Sequence, residues 1–306
     1  MLTFSRNEPL ELPAAMKKSL SIILVFALCS FGCSTIGLVY RNADWYLQHK
    51  INDYTTFTSR QKETIRKDIT DYMSWHRKVA LPEYIIFLQN LNGAAQYDGQ
   101  MKAEEIALLR AQLMNLYRKS LVPAIRPAAQ MLSSLDSRQI QELASSLAEE
   151  NQKQKQEDLN VSHDEYLEKR ADKTIAFLEW LAGDLSAGQE RQVRELSRHL
   201  PAVSSYFIQH RESNQARLLA LLNGHAGVDE IDAFMSSWIL TPEATRTSQQ
   251  QRGIQSFETA SDAMTAQIHG LLTARQKEHM RKLISAYIKD IQSLATDTHS
   301  ASGSSR

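Results

Sequence analysis

Apolar residues recur at three- and four-residue spacing through most of the chain. Ile65, Ile69, Tyr72, Met73, His76 and Val79 form one stripe, and Ile106, Leu109, Leu113, Leu116 and Leu121 a second. Val193, Leu196, Leu200, Val203 and Phe207 continue the rhythm, followed by Ile254, Phe257, Ser261, Met264, Ile268 and Leu271, and by Met280, Leu283, Tyr287, Ile291 and Leu294. That period lines up side chains on one helix face. No stretch of four or more residues alternates apolar and polar between turn signals, as a half-buried strand would. The pattern predicts an all-α fold, an elongated multi-helix bundle of antiparallel helix pairs with kinked long helices. Pro82, Pro123, Pro127 and Pro201 fall inside the pattern, so kinks or breaks are expected there. The loops "LNGAAQYDGQ" and "LLNGHAG" place Gly93 and Gly224 at helix C-terminal caps.

Four similar words recur: "FTSRQKE" from Phe57, "LDSRQIQ" from Leu135, "LSAGQER" from Leu185 and "LTARQKE" from Leu272. In each, a Thr, Asp or Ser is followed three residues later by Gln. The first side chain can accept from the backbone N–H of the Gln, and the Gln amide can reach back to the N–H of the first residue. This is a capping box, so the words predict four helix starts, at Thr58, Asp136, Ser186 and Thr273. The words also resemble the LTxxQ motif of periplasmic stress proteins, some of which are chaperones built from curved helical hairpins.

The N-terminus has a different pattern. Lys17 and Lys18 precede an apolar run from Leu20 to Phe31, and Gly32 supplies a small residue before Cys33. This reads as a signal peptide over 1–32 with the start of translation at Met16. The run is shorter than the roughly 20 apolar residues a spanning helix needs. "SFGCS" resembles a bacterial lipobox, with Phe31 and Ser30 standing where a small residue and Leu are usual. Cys29 leaves with the signal, so the mature chain keeps one cysteine, and lipidation of Cys33 accounts for it. Ser34, by the sorting pattern of enteric lipoproteins, implies the outer membrane and a periplasmic face. Residues 33–36 then form the lipidated N-terminus and a short tether, 37–295 a single helical domain, and the polar stretch 296–306 a disordered tail.

"GLVYRNADWYLQHKINDYTTFTSRQ" from Gly37 and "WHRKVALPEYIIFLQNL" from Trp75 carry a more specific likeness. They resemble the opening of an uncharacterised family of proteobacterial lipoproteins with a domain of unknown function. The family's start has Tyr, then Asn-x-x-Asp-Trp, Asp-Asp-Tyr, an LTxxQ-like cap, and Trp-His-Arg with Leu-Pro-x-Tyr. Here Asn42 stands one place closer to Asp44-Trp45, and Asn52-Asp53-Tyr54 replaces Asp-Asp-Tyr. The likeness spans about residues 33–91 and brings no activity with it.

Lys and Arg number 35, as do Asp and Glu, so the formal charge is zero and no nucleic-acid partner is implied. Nine histidines show no His-x-x-x-His or His-Glu-x-x-His spacing, which leaves no metal or cofactor pattern. No nucleophile motif and no phosphate-cradling loop is present. Three polar stretches interrupt the stripes: "NQKQKQEDLN" from Asn151, "QHRESNQAR" from Gln209 and "EATRTSQQQRG" from Glu243. The second puts His210, Asn214 and Arg217 where the rhythm predicts core. Side by side, these stretches would form a polar arm or a polar-lined groove. "DWYLQHK" and "SWHRK" set Asp44, His76 and Arg77 beside Trp45 and Trp75, read here as core anchors with a buried ion pair. Asp44, Trp45, Asp53, His76, Arg77, His210, Asn214 and Arg217 are the candidate partner surface, and none is a candidate for catalysis. The sequence thus points to a non-catalytic binding or scaffolding lipoprotein, held to the membrane by the lipid on Cys33 and working with an envelope protein partner. The alternatives are an LTxxQ-type chaperone or stress adaptor, and an enzyme acting on an envelope polymer.

Overall fold

The computed structural model describes residues 35–94 and 101–296, and these residues form helices and short connections. The signal segment, Cys33 and the residues after Thr296 lie outside them. The chain runs α1 (Thr35–Arg41), α2 (Ala43–Asn52), α3 (Ser59–Trp75), a π-helical turn (His76–Ala80) and α4 (Leu81–Ala94). It continues with α5 (Ala103–Ser133), α6 (Ser137–Asp158), α7 (His163–Ala182), α8 (Ala187–Arg198) and α9 (Ser204–Asn223). After α10 (Val228–Leu240) and a 3₁₀ turn (Pro242–Ala244) come α11 (Ser248–Leu271) and α12 (Ala274–Thr296). α1 therefore begins within the stretch 33–36 that the sequence assigns to a tether.

The apolar stripes meet in separate clusters. Ile125, Ile140, Leu218, Ile231 and Phe234 join α5, α6, α9 and α10. Ile175, Val193, Met264 and Ile268 join α7, α8 and α11. Phe57, Ile65, Ile69 and Met73 of the α3 region take in Leu47 and Ile51 of α2. Met280 and Ile284 of α12 pack on Leu88 and Leu91 of α4. The long α5 is the central strut, packing on both α10 and α11, while α6 finds its main neighbour in α9 and α12 packs on α4 and α7.

The prolines act differently from one another. Pro201 lies in the break between α8 and α9, as its missing N–H and ring crowding demand. The stripe that ran from Val193 to Phe207 is thus two helices, and Phe207 ends up exposed. Pro82 is the second residue of α4, directly after the π-turn. A proline ring crowds the carbonyl four residues back, here Lys78, and the wider turn over His76–Ala80 relieves that crowding. α5 runs through both Pro123 and Pro127. In α5, Leu113 is exposed, so the second stripe is less regular than its spacing suggests. Gly224 is the C-cap of α9, but the left-handed position after it is taken by His225, with φ 56°. His225 N–H donates to Leu222 O and Ala226 N–H to Leu221 O, which closes the end of the helix. Gly93 falls inside the last turn of α4.

All four words are capping boxes. Thr58, Asp136, Ser186 and Thr273 each accept from the N–H of the Gln three residues on, at 2.8–3.3 Å. Each Gln Oε1 in turn accepts from the N–H of the cap residue at 2.9–3.1 Å. The boxes also dock in pairs. Gln61 meets Gln139, and Gln189 meets Gln276, each pair exchanging two amide hydrogen bonds of 2.7–3.2 Å. The second Nε2 hydrogen of every Gln goes to a carbonyl two residues before the partner's cap: Ser134, Thr56, Leu271 and Asp184. The same lock thus occurs twice, joining the start of α3 to that of α6 and the start of α8 to that of α12. The first lock is extended along α6. Glu142 accepts from Thr55 Oγ1 at 2.9 Å and Thr56 N–H at 2.7 Å, Ser146 donates to Tyr54 O, and Glu150 accepts from the Tyr54 hydroxyl. The bonds from Thr56 N–H first, then from the Thr55 hydroxyl, hold the Glu142 carboxyl below its ordinary range.

Candidate functional site

His76 opens the π-turn and sits among four aromatic rings. Tyr40 comes from α1, Tyr72 and Trp75 from the end of α3, and Tyr84 from α4, with ring centroids 5.4–6.4 Å from the imidazole. Its Nδ1 lies 3.0 Å from the Tyr40 hydroxyl and its Nε2 3.3 Å from that of Tyr84. One ring nitrogen of a neutral imidazole donates and the other accepts, so two hydroxyls satisfy both. Burial lowers the His76 pKa, which favours that neutral form. The Arg77 guanidinium lies 5.7 Å from the Tyr40 ring centroid. Burial pushes the Tyr40 phenol up to about 12, against the opposing pull of Arg77.

The sequence paired His76 or Arg77 with Asp44 and buried Trp45 beside them. Tyrosine hydroxyls occupy both ring nitrogens of His76, so His76 is not the member that pairs with Asp44. Trp45 is 67% exposed and stacks on His49, one turn further along α2. The inner face of α1 and α2 is supplied by Tyr40, Ala43, Leu47 and Ile51, which turns Trp45 outward. Trp75 is half-buried and flanks Tyr72. Asp53 is exposed at the end of α2 and bonds Lys50 at 3.0 Å, which lowers its pKa.

The polar stretches from Asn151 and Gln209 do lie side by side, on α6 and α9. Asn151 Nδ2 donates to Gln215 Oε1 at 2.6 Å, both side chains being buried. Lys155 and Glu212 form an ion pair of 2.6 Å at the rim. Between them runs an open groove of about 360 Å³ with Ala144, Leu147, Ala148, Ala216 and Leu219 on its apolar side. The third stretch meets the other side of α9. His210 is buried with Nε2 2.8 Å from Thr245 Oγ1, and burial, then the Arg246 charge, lowers its pKa. Asn214, also buried, returns its amide to the His210 carbonyl at 2.7 Å. Arg217 is exposed, its guanidinium 4.9 Å over the Phe234 ring, so it covers α10 from outside and lies in no core. His76 with Arg77 and His210 with Asn214 therefore belong to different helix contacts and do not form one surface.

Several polar groups were not singled out by sequence. Asp262 on α11 is buried and takes a two-pronged bond from Arg110 on α5, at 2.9 and 2.8 Å. The stripe after Phe257 placed the neighbouring Ser261 inward and so passed over it. Thr247 and Gln250 make a fifth capping box, preceded by Arg246 and not by the apolar residue that marks the other four. His269, in the last turn of α11, is 6% exposed. Among the described residues no cluster of three or more His, Cys, Asp or Glu is placed to hold a metal ion, and no helix is long and apolar enough to cross a membrane.

No curated protein and no solved structure matches the chain. A family model does, over residues 53–237, more than half of the chain. The match takes in the π-turn, the first lock and the α6–α9 groove, and it begins after Asn42, Asp44 and Trp45. The chain belongs to this family of unknown function, DUF6279.

Proposed function

We propose that the protein is an outer-membrane lipoprotein, anchored through Cys33 and facing the periplasm, that binds or scaffolds another envelope protein without catalysing a reaction. The observation that carries the binding role is the α6–α9 groove. Ala144, Ala148 and Ala216 let a partner backbone come close, while the Lys155–Glu212 pair and the Asn151–Gln215 amides set polar groups along the same channel. That combination suits a helical segment of a partner laid into the groove. The four glutamines of the LTxxQ-like words are turned to one another in pairs, so their amides are taken up by the locks, which favours a structural role for them.

Two measurements test this. Intact mass of membrane-extracted protein should show a chain starting at acylated Cys33, and a soluble product cut elsewhere would remove the lipoprotein reading. A photo-crosslinking amino acid at the exposed Gln152, in the groove wall, should yield a discrete adduct in cells that the same probe at Glu63 on α3 does not. Bulky Ala148→Trp should abolish that adduct. Absence of any groove-specific adduct would overturn the docking role.

A further inference from the structure

We infer that α1 and α2 lie on the membrane surface as an interfacial platform, their outer face seated at the headgroup–acyl boundary. This rests on the reading of Cys33 as the lipid anchor. The two helices carry apolar side chains on both sides, with polar residues between them on the outer one. Tyr40, Ala43, Leu47 and Ile51 point inward onto Ile65, Ile69 and Met73. Leu38, Val39, Trp45 and Tyr46 point outward, each more than half exposed. An outer face that mixes large apolar and aromatic side chains with basic ones suits a membrane interface, and the protein covers only the inner side of this pair.

Chain length says what covers the other. Thr35, the first residue of α1, is two residues beyond Cys33, so even a fully extended chain separates the helix from the acylated residue by about 7 Å. A lipid on Cys33 therefore holds this face against the bilayer. The residue types agree with that depth. Trp and Tyr favour the membrane–water interface, where the ring is buried and the polar edge stays wet. Arg41 and Lys50 are exposed on the same segment, and their stems can lie along the apolar surface while their charges, that of Lys50 shared with Asp53, reach headgroups. Neither helix is long enough to span, at 7 and 10 residues, so the geometry is that of a segment lying in the interface plane. Asp44 and Asp53 offset the basic residues, so apolar burial and not charge drives the contact.

The experiment uses the acylated protein in vesicles of phosphatidylethanolamine with a minor share of phosphatidylglycerol. Phospholipids brominated near the headgroup end should quench a component of the tryptophan emission that Trp45→Phe lacks. The full mature chain with Cys33→Ser should float with the same vesicles even at about 1 M salt, where charges are screened within about 3 Å. Adding Leu38→Ser and Trp45→Ser should weaken its partitioning by about tenfold or more. Because Trp45 is 67% exposed and stacks on His49 of its own helix, unchanged thermal unfolding of that variant separates lost binding from lost folding. Trp45 quenched by aqueous iodide and untouched by bromolipid would overturn the inference while leaving the anchor intact. Self-association abolished by Trp45→Ser would also overturn it, assigning the face to a second copy. No acyl mass on Cys33 would overturn the anchor, and flotation of the unacylated chain would then judge the platform separately.

Discussion

Gln61 and Gln139, 78 residues apart, hydrogen-bond each other through both ends of their amides, Gln139 Nε2 to Gln61 Oε1 at 2.7 Å and Gln61 Nε2 to Gln139 Oε1 at 3.2 Å. Each Oε1 also accepts the N–H of its own helix cap, and each Nε2 spends its second hydrogen on a carbonyl beside the other cap. A capping box normally serves one helix. Here the glutamine serves its helix and its neighbour's loop at once, so a local signal becomes a tertiary contact.

Gln139 is 1% exposed, and truncating it strands the Thr56 carbonyl, the Asp136 N–H and the Gln61 amide together. An unpaired group costs about 1–3 kcal/mol when buried, and these three bonds are part-buried, so Gln139→Ala should cost about 3 kcal/mol, near the lower end for three groups. Gln276→Ala should behave alike in the second lock. Thr58→Ala, Ser186→Ala and Thr273→Ala remove only a cap and should each cost about 1 kcal/mol. In denaturant unfolding, a Gln61→Ala and Gln139→Ala double-mutant cycle should be non-additive by about 1 kcal/mol. Additive losses would mean that the amides do not act as a pair.

That lock also shows what the chain discloses of itself. The four caps were readable because every atom of a capping box lies within four residues. Their pairing was not, since an isolated helix satisfies the same pattern and nothing in either word names the other. The fifth box at Thr247 escaped because Arg246 replaces the apolar lead. The meeting of Asn151 with Gln215 was legible as two breaks in apolar rhythm that would make sense only together. Trp45 was misplaced because a large aromatic in a helical stripe defaults to core. Which of two apolar faces the protein covers is decided by the packing of α3, which local spacing does not contain.

Asp262 is the most deeply placed carboxylate among the ion pairs, its side chain 7% exposed against 36% for Arg110. Breaking a buried pair strands a charge and costs about 3–5 kcal/mol, and the open side of Arg110 puts this one near the lower end. Asp262→Ala should therefore cost about 3 kcal/mol in denaturant unfolding. Glu258→Ala, which removes the more exposed arm of the same arginine, should cost under about 1 kcal/mol. Equal effects would show that the α5–α11 contact does not depend on the two-pronged bond.

His76, His210 and His269 share a direction: burial is the first cause of a lowered pKa in each. All three are therefore neutral in the folded protein at a pH where the unfolded chain, with histidine near about 6.5, already binds protons. Their contribution is fully present above about pH 6.5 and is lost as pH falls from there toward the lowered folded values. The unfolding midpoint should drop on acidification from about pH 7 to 5. His269 is the informative probe, because neither ring nitrogen has a hydrogen-bond partner among the described residues. His269→Leu removes two unpaired buried polar atoms, so it should raise the midpoint at pH 7 and flatten the acid decline. A steeper decline in the variant would contradict the assigned cause.

The last prediction separates the two aromatic groups near the N-terminus. His76 closes a ring–hydroxyl network that fastens α1 to α4 across the π-turn, through Tyr40 and Tyr84. His76→Phe keeps the ring and removes both nitrogens, which leaves two half-buried hydroxyls short of their partners. The hydroxyls retain some access to water, so the loss should be about 1–2 kcal/mol and not the full cost of two buried orphans. His76→Gln keeps a donor and an acceptor at similar reach and should recover part of it. Trp45, by contrast, is 67% exposed and stacks on His49 of its own helix, and Trp45→Ala should change stability by no more than about 0.5 kcal/mol. Chemical denaturation of the three variants decides the matter. If Trp45→Ala costs as much as His76→Phe, then Trp45 is packed into the protein, and the outward face of α1 and α2 is not free to meet a membrane.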